Sequence, residues 1–261
     1  MSLVFDNELH DMTATALPYL EAFANGDAVF TEHPYGQSFR TDVAVAWIDR
    51  GALARRAGTL GHCDPLPDER KYRRSYRRLQ HVEPISRDAW IHDDSTYVPD
   101  TARTVWEWLE EHGFLREVRD EEVARPAAVA DEQDRLPGID PPTEPMFVTA
   151  KLGDHMQRVS AFELKQRDWE TALRQARRAE HYANARYVVM DAGGVEVARD
   201  NREKFVDAEV GLLSLDRDGL TTHYRPSRTI TPLRTRSRFM LGERALMECA
   251  DDVVREAEEY R

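Results

Sequence analysis

Cysteine is nearly absent from this 261-residue chain, which has two, Cys63 and Cys249. Two cysteines give no disulfide framework and no C-x-x-C zinc pair. No apolar run approaches the roughly 20 residues that a membrane span needs, and the N-terminal residues lack the pattern of a signal peptide. We therefore expect a cytoplasmic protein in a reducing environment, with no membrane partner.

Three widespread functional motifs are also missing. The chain has no G-x-x-x-x-G-K-[ST] loop, no G-x-G-x-x-G fingerprint and no G-x-S-x-G elbow. These absences argue against P-loop nucleotide hydrolysis, dinucleotide binding and serine hydrolysis of the α/β-hydrolase type.

Positive charge is in deficit, with 36 Lys and Arg against 48 Asp and Glu and a net charge of -12. Phosphate binding favours Lys and Arg, so this balance has two explanations. Either the acid is spread over a halophile-like surface that keeps the protein solvated, or the protein does not bind nucleic acid.

The most informative stretch is Arg158-Val-Ser-Ala-Phe-Glu-Leu-Lys-Gln-Arg167. Its apolar residues predict a strand, in which successive side chains point to opposite faces. Glu163 and Lys165 would then share one face, with Leu164 on the other. The Glu163 carboxylate and the Leu164 carbonyl oxygen suit a hard cation such as Mg²⁺, and the Lys165 ammonium suits the orientation of an attacking water. The alternative is a solvated Glu–Lys pair at a strand edge.

The neighbouring residues extend this pattern. Asp168 precedes a predicted helix that carries Gln175 and runs to about Tyr182, and residues 187–190 form a short β-branched strand. Upstream, residues 40–48 alternate like a strand with Asp42 near its start. This order of elements resembles the PD-(D/E)xK, or restriction-endonuclease-like, nuclease superfamily, although Thr41 stands where the motif has its proline.

The resemblance implies an α/β fold with a mixed central sheet flanked by helices, and a Mg²⁺- or Mn²⁺-dependent endonuclease that hydrolyses DNA phosphodiester bonds. It assigns catalytic roles to Asp42, Glu163, Lys165 and Gln175, and metal ligation to Asp42, Glu163 and Leu164. Glu8 or Glu32 would be the further acid that many members carry. The alternative is a non-catalytic DNA-binding regulator or interaction protein that uses a nuclease-like scaffold.

The predicted core is discontinuous, with residues 1–50 and 146–261 separated by an insert at 51–120 and a Pro-rich acidic linker at 121–145. The core begins with a helix at 8–24 and a hairpin around Pro34. Later in the core we expect a helix at 199–208, a hairpin over 210–224, and an amphipathic helix at 243–259 that either packs on the core or forms a homodimer contact.

The insert resembles a winged helix-turn-helix. We expect helices over 70–79, over 85–91 and over about 101–112, the last capped by Asp100, then a small β-wing over 114–123. The third helix would enter a DNA groove, but it is acidic at Glu107, Glu110 and Glu111. Its tryptophans, Trp106 and Trp108, are alternatively core residues, and the basic helix at 70–79 is the better phosphate binder.

Basic residues concentrate in that helix and in residues 221–240, a window with five arginines and no acid. If extended, the second window would place Arg234, Arg236 and Arg238 on one face, a row suited to phosphates. The alternative is that these arginines pair with acids of the protein itself. The predicted nucleic-acid-binding residues are Arg70, Lys71, Arg73, Arg74, Arg77, Arg174, Arg178, Arg225, Arg228, Arg234, Arg236 and Arg238.

Overall fold

The larger part of the fold is a mixed six-stranded sheet flanked by helices. A computed structural model describes residues 8–34, 40–118, 144–232 and 235–249. In chain order the first elements are α1 (Glu8–Ala24), β1 (Ala28–Pro34), β2 (Arg40–Ile48), α2 (Arg50–Leu60), α3 (Arg70–Val82), β3 (Ile85–Ser86), α4 (Arg87–Ala89), a π-helical turn (Trp90–Asp94), α5 (Pro99–Glu111), β4 (Leu115–Glu117) and β5 (Met146–Thr149). Then follow β6 (Met156–Lys165), α6 (Trp169–Arg178), a 3₁₀ turn (Ala179–His181), β7 (Ala185–Asp191), α7 (Val195–Asp200), α8 (Arg202–Asp207), β8 (Gly211–Asp216), β9 (Gly219–Tyr224) and α9 (Thr235–Glu248). The predicted α/β class with a mixed sheet is confirmed.

The strand order of the large sheet is β1-β2-β6-β7-β8-β9. The pairs β1–β2 and β8–β9 are antiparallel, whereas β6, β7 and β8 run parallel. Parallel neighbours need a crossover, and the helices α6 to α8 provide the two crossovers here. β2 is antiparallel to β6 although a long stretch of chain separates them. This pairing brings the start of β2 beside the end of β6.

Side-chain alternation gives the sheet two buried faces. Leu164 and Val189 join the apolar cluster that contains Met12, Ala16 and Leu20 of α1. Their neighbours Val188 and Met190 join the opposite cluster, with α6, α7 and α8. No helix in the described ranges is both long and apolar enough to cross a membrane.

The chain divides into two compact units, one of Met1–Ala54 with Asp154–Arg261 and one of Arg55–Gly153. The second unit has its own three-stranded sheet, ordered β3-β5-β4. Residues 146–149, which we assigned to the core, form β5 and pair with β3 and β4. The expected helix over 85–91 instead begins with β3 and continues as α4 and the π-helical turn. Most of the acidic linker, residues 119–143, lies outside the described part of the chain.

Aromatic side chains anchor the helices of the second unit. Tyr76 is buried on α3 and donates a 2.6 Å hydrogen bond to the carbonyl of Ala150. Trp106 of α5 is fully buried and packs edge-on against Phe147, so the core interpretation holds for this tryptophan. Asp100 does not cap α5: the helix begins at Pro99 after Val98, because proline is favoured in the first helical turn.

The end of the described chain is helical earlier than we expected. α9 covers Thr235–Glu248, so residues 235–238 do not form the extended row that we predicted. Residues 250–261, the rest of the predicted C-terminal helix, lie outside the described part. Within α9, Arg238 is buried, at 7% exposure.

Candidate active site

The candidate catalytic residues meet at one end of the large sheet. Val43 pairs with Phe162 in the antiparallel β2–β6 ladder, so Asp42 and Glu163 occupy the next positions on the two strands. β7 runs parallel to β6, with Lys165 paired to Met190. The start of β2 and the ends of β6 and β7 therefore share this end of the sheet.

Glu163 is a fully buried carboxylic acid, with 0% of the residue exposed. The hydroxyl of Thr41 donates a 2.8 Å hydrogen bond to its Oε1. Its other oxygen, Oε2, is buried and has no hydrogen-bond partner among the described residues. A buried polar atom without a partner is costly unless a ligand or an ion satisfies it.

Burial and the neighbouring Asp42 raise the pKa of Glu163 to about 8. The hydrogen bond from Thr41 and the positive charges of Lys165 and Arg178 act in the opposite direction. A carboxyl group whose pKa is held this high is protonated at neutral pH unless a cation compensates its charge.

Asp42 lies beside Glu163 and forms a hydrogen bond with the strand that carries it, β6. Its Oδ2 accepts a 2.7 Å hydrogen bond from the backbone amide of Leu164. The Leu164 side chain is buried in the α1 cluster at 1% exposure. The two carboxyl groups are thus held at one place by backbone register rather than by flexible side chains.

Lys165 ends β6 and is partly exposed, two residues beyond Glu163. Asp168 then caps α6 by accepting a 3.0 Å hydrogen bond from the Thr171 amide, so the predicted helix start is confirmed. Gln175 lies on α6, and its Oε1 is buried without a hydrogen-bond partner among the described residues. No contact of a described residue joins Gln175 to the two acids, and its supporting role stays a prediction.

The available ligands suit a Mg²⁺ ion that keeps part of its water shell better than a metal ion held entirely by protein side chains. Within residues 8–34, 40–118, 144–232 and 235–249, no three His, Cys, Asp or Glu side chains group as a metal site. Mg²⁺ keeps several waters and is bound in proteins through one or two carboxylates. Asp42 and Glu163 supply two, and the unpartnered Oε2 of Glu163 is the atom that a cation would satisfy. Glu8 and Glu32 lie on α1 and β1, and their side chains fall outside the described part.

Two further polar side chains of this end of the sheet were missed from the sequence. Thr41 was noted only as the residue in place of the motif proline. Asp191, which ends β7, is 5% exposed, and its Oδ2 accepts a 2.8 Å hydrogen bond from the amide of Gly193. The signal for Asp191 was its position, directly after an apolar strand and before the Gly193-Gly194 turn.

The predicted nucleic-acid residues of α3 lie along one helix whose apolar side is buried. Tyr72, Ser75, Tyr76 and Leu79 are buried on this helix, and the Nε atoms of Arg73 and Arg78 are buried as well. Arg70 and Arg74 are exposed and form no ion pair with a described residue. Lys71 and Arg73 contact the acids Glu69 and Asp68.

The later arginines have mixed environments. Arg238 is a structural residue, because its guanidinium contacts Asp154, the carbonyl of Met156 and, at 2.6 Å, the side chain of Asn184. The prediction that Arg238 binds phosphate is therefore wrong, and internal pairing is the correct interpretation for it. Arg228 lies 3.5 Å from Glu209, and Arg225 lies over the ring of Phe23.

The remaining predicted arginines are only partly described. Arg174 is exposed on α6 and donates to the hydroxyl of Thr171, and Arg178 closes the same helix. Arg234 and the side chain of Arg236 lie outside the described part of the chain.

Comparison with protein-family models, with curated proteins and with solved structures finds no match for this chain.

Proposed function

We propose that this protein is a Mg²⁺- or Mn²⁺-dependent nuclease that hydrolyses DNA phosphodiester bonds. The observation that carries the proposal is the buried Glu163 beside Asp42, with Lys165 two residues further along the same strand. A buried acid with a pKa near 8 costs stability when it ionises. Such a cost is typical of a site kept for function rather than for folding.

Asp42 and Glu163 would hold the cation, and the Leu164 carbonyl would be a third donor from the backbone. When bound, the cation would polarise the phosphate and lower the pKa of a bound water. Lys165 would position the attacking water and offset the negative charge that develops on the phosphate in the transition state. Thr41 would hold the Glu163 carboxylate in place through Oε1, and Gln175 would support the site from α6.

The element order α1-β1-β2-β6-α6-β7 supports the proposal, because it is the order that the resemblance to PD-(D/E)xK nucleases implies. In the sequence, the residues of the unit Arg55–Gly153 come between β2 and β6. Its basic helix α3 would contribute phosphate contacts that carry no sequence information.

The competing function is a DNA-binding regulator or interaction protein that keeps the fold without catalysis. One observation favours it: Glu163 is 0% exposed, whereas a metal ligand must be reached by its ion. For the nuclease to work, Glu163 must become accessible to the cation and must release its proton to solvent when the cation binds.

A cleavage screen with Mg²⁺ or Mn²⁺ over labelled duplex, branched and single-stranded DNA, with RNA in parallel, tests the proposal. Wild-type protein should cut at least one substrate, and Glu163→Gln should not. Wild-type protein that binds DNA in Ca²⁺ but cuts nothing with either metal would contradict the nuclease proposal and support the non-catalytic DNA-binding function.

A further inference from the structure

A polar cleft of about 440 Å³ opens beside the α7–α8 helices and strands β8 and β9. Its size falls within the range of small-molecule and cofactor sites. Its hydrogen-bonding lining includes Arg199 and Arg202 from the helices, with Thr222 and His223 from β9. Leu212 of β8, which is 1% exposed, contributes apolar surface.

The cleft lies on the same sheet face as the candidate catalytic pair. Lys165 pairs with Met190, and Met190 pairs with Ser214. Directly paired residues project from the same face of a sheet. Ser214 is therefore two strands from Lys165, or about 10 Å across the sheet at a strand spacing near 4.8 Å.

Ser214 holds the imidazole of His223 in the cleft. The Ser214 hydroxyl and His223 Nε2 are 2.7 Å apart, and Ser214 itself is 5% exposed. The other ring nitrogen, Nδ1, makes no hydrogen bond to a described residue and is available to a ligand. Burial, followed by the positive charge of Arg199, lowers the pKa of His223. A neutral imidazole that accepts from Ser214 at Nε2 would offer Nδ1–H as a donor.

The two arginines differ in their partners. Arg199 donates a 2.6 Å hydrogen bond to Glu196, which also lines the cleft. Arg202 lies over the ring of Tyr224, with its Cζ 5.6 Å from the ring centroid, and forms no ion pair with a described residue. Asp200 also lines the cleft, so its two arginines are accompanied by two acids. Arg202, which is held on an aromatic ring and has no ion pair with a described residue, is the guanidinium available to an anion.

We propose that this cleft binds a phosphate group, with Arg202 as its main cation and with His223 as a hydrogen-bond donor. The buried Met190 and the helices α6 to α8 separate the cleft from Lys165 on this face, so the cleft suits a phosphate away from the scissile one. The binding of a phosphate is argued from the cleft alone. Its assignment to the nucleic-acid substrate rests on the proposed function.

The test uses the full chain and two probes, thymidine dinucleotide with and without a 5′-phosphate, titrated by calorimetry in Ca²⁺. Wild-type protein should bind the phosphorylated probe more tightly, and Arg202→Gln should weaken that binding by about tenfold or more, since hydrogen bonds to charged groups are the strong ones. Lys204→Gln is the matched control. Lys204 lies on the same helix, does not line the cleft, and contacts Trp169 and Glu170. It should change the affinity by less than about twofold.

Cleavage separates the two proposals. On a substrate that wild-type protein cuts, Arg202→Gln should raise KM with little change in kcat, because a flanking contact is made in both the ground state and the transition state. Protein that cuts nothing but binds the phosphorylated probe through Arg202 would overturn the nuclease and keep the phosphate site. Equal affinity for the two probes, or equal behaviour of Arg202→Gln and Lys204→Gln, would overturn the phosphate site whether or not the protein cuts DNA.

Discussion

The Thr41 hydroxyl donates a 2.8 Å hydrogen bond to Oε1 of Glu163, and both residues are fully buried. This contact joins the first residues of β2 to the last residues of β6. It stabilises the ionised form of an acid whose surroundings otherwise favour the protonated form. Thr41 thus has a definite place in the candidate site.

Lys165→Ala should reduce the cleavage rate by about 10²–10³, the usual cost of removing one electrostatic group that acts in the transition state. DNA affinity in Ca²⁺ should stay nearly unchanged, because Lys165 would act mainly in the transition state. The circular dichroism spectrum should also stay unchanged, because Lys165 is partly exposed at the strand end. Single-turnover cleavage is the measurement, and Lys151→Ala, an exposed lysine of the other unit, is the control. Cleavage that survives in Lys165→Ala would place the chemistry elsewhere.

Glu163 predicts a pH-dependent stability. Its pKa is about 8 in the fold against a reference of 4.5, so the folded state binds a proton that the unfolded state releases. The contribution of this bound proton to the free energy of unfolding is complete below pH 4.5 and is lost as the pH rises towards 8. Urea unfolding in EDTA at pH 4.5, 6.5 and 8.5 should therefore show a decline, on the order of a few kcal/mol, that Glu163→Gln removes.

Mg²⁺ should reverse part of that decline in wild-type protein, because a bound cation favours the ionised acids. Neither Glu163→Gln nor Asp42→Asn should gain comparable stability from Mg²⁺ at pH 8.5. If both variants respond to Mg²⁺ as wild-type protein does, the cation does not bind at this pair.

Replacing Arg70 and Arg74 together with Gln should weaken DNA binding about equally for all sequences. Each lost phosphate contact should reduce the salt slope of log K by about 1. Titrations at several salt concentrations measure this slope, with Arg103→Gln and Arg116→Gln on the same unit as the charge-matched control. An unchanged slope in the α3 double variant would exclude α3 from the DNA interface.

Arg238→Gln should destabilise the protein by about 2–4 kcal/mol, because it leaves Asp154 and the Met156 carbonyl without their buried partner. Thermal unfolding is the measurement. Arg225→Gln, which removes an arginine that lies over Phe23, should have a much smaller effect. A stable Arg238→Gln variant with weaker DNA binding would contradict the structural role.

Removal of residues 55–153, with the cut ends joined by a short turn, should leave a folded six-stranded core. The deletion must include β5, because among the described strands β5 pairs with β3 and β4 alone and would otherwise leave an unpaired strand edge. Circular dichroism and gel filtration measure the outcome. An aggregated or unfolded product would show that the large unit depends on the smaller one.

The elements with strong periodicity were predictable from the sequence. Helix α1, strand β6 and the β8–β9 hairpin lie close to where their patterns placed them. β3 was not predictable, because two residues carry no period and its partner β5 lies about 60 positions further along the chain. The periodicity of apolar residues predicts a helix or strand only where the element is long enough for the period to be recognised.

The candidate site was predictable only in part. Asp42 and Glu163 were singled out because they match the resemblance to PD-(D/E)xK nucleases near the ends of two predicted strands, and the structure places them at neighbouring positions. Arg238 was misassigned, since a buried arginine and an exposed one look identical in sequence. Its burial depends on Asp154 and Asn184, which come from other parts of the chain.

The separation of β2 from β6 also bears on how fast the protein folds. The two strands are neighbours in the sheet, yet the whole smaller unit is synthesised between them. Bringing their ends together closes a loop of about a hundred residues, which costs about 2 kcal/mol more entropy than closing a ten-residue turn. Non-local pairings of this kind slow folding. We therefore expect the half of the sheet that contains β6, β7 and β8 to form first, and β2 to join it in the slow step.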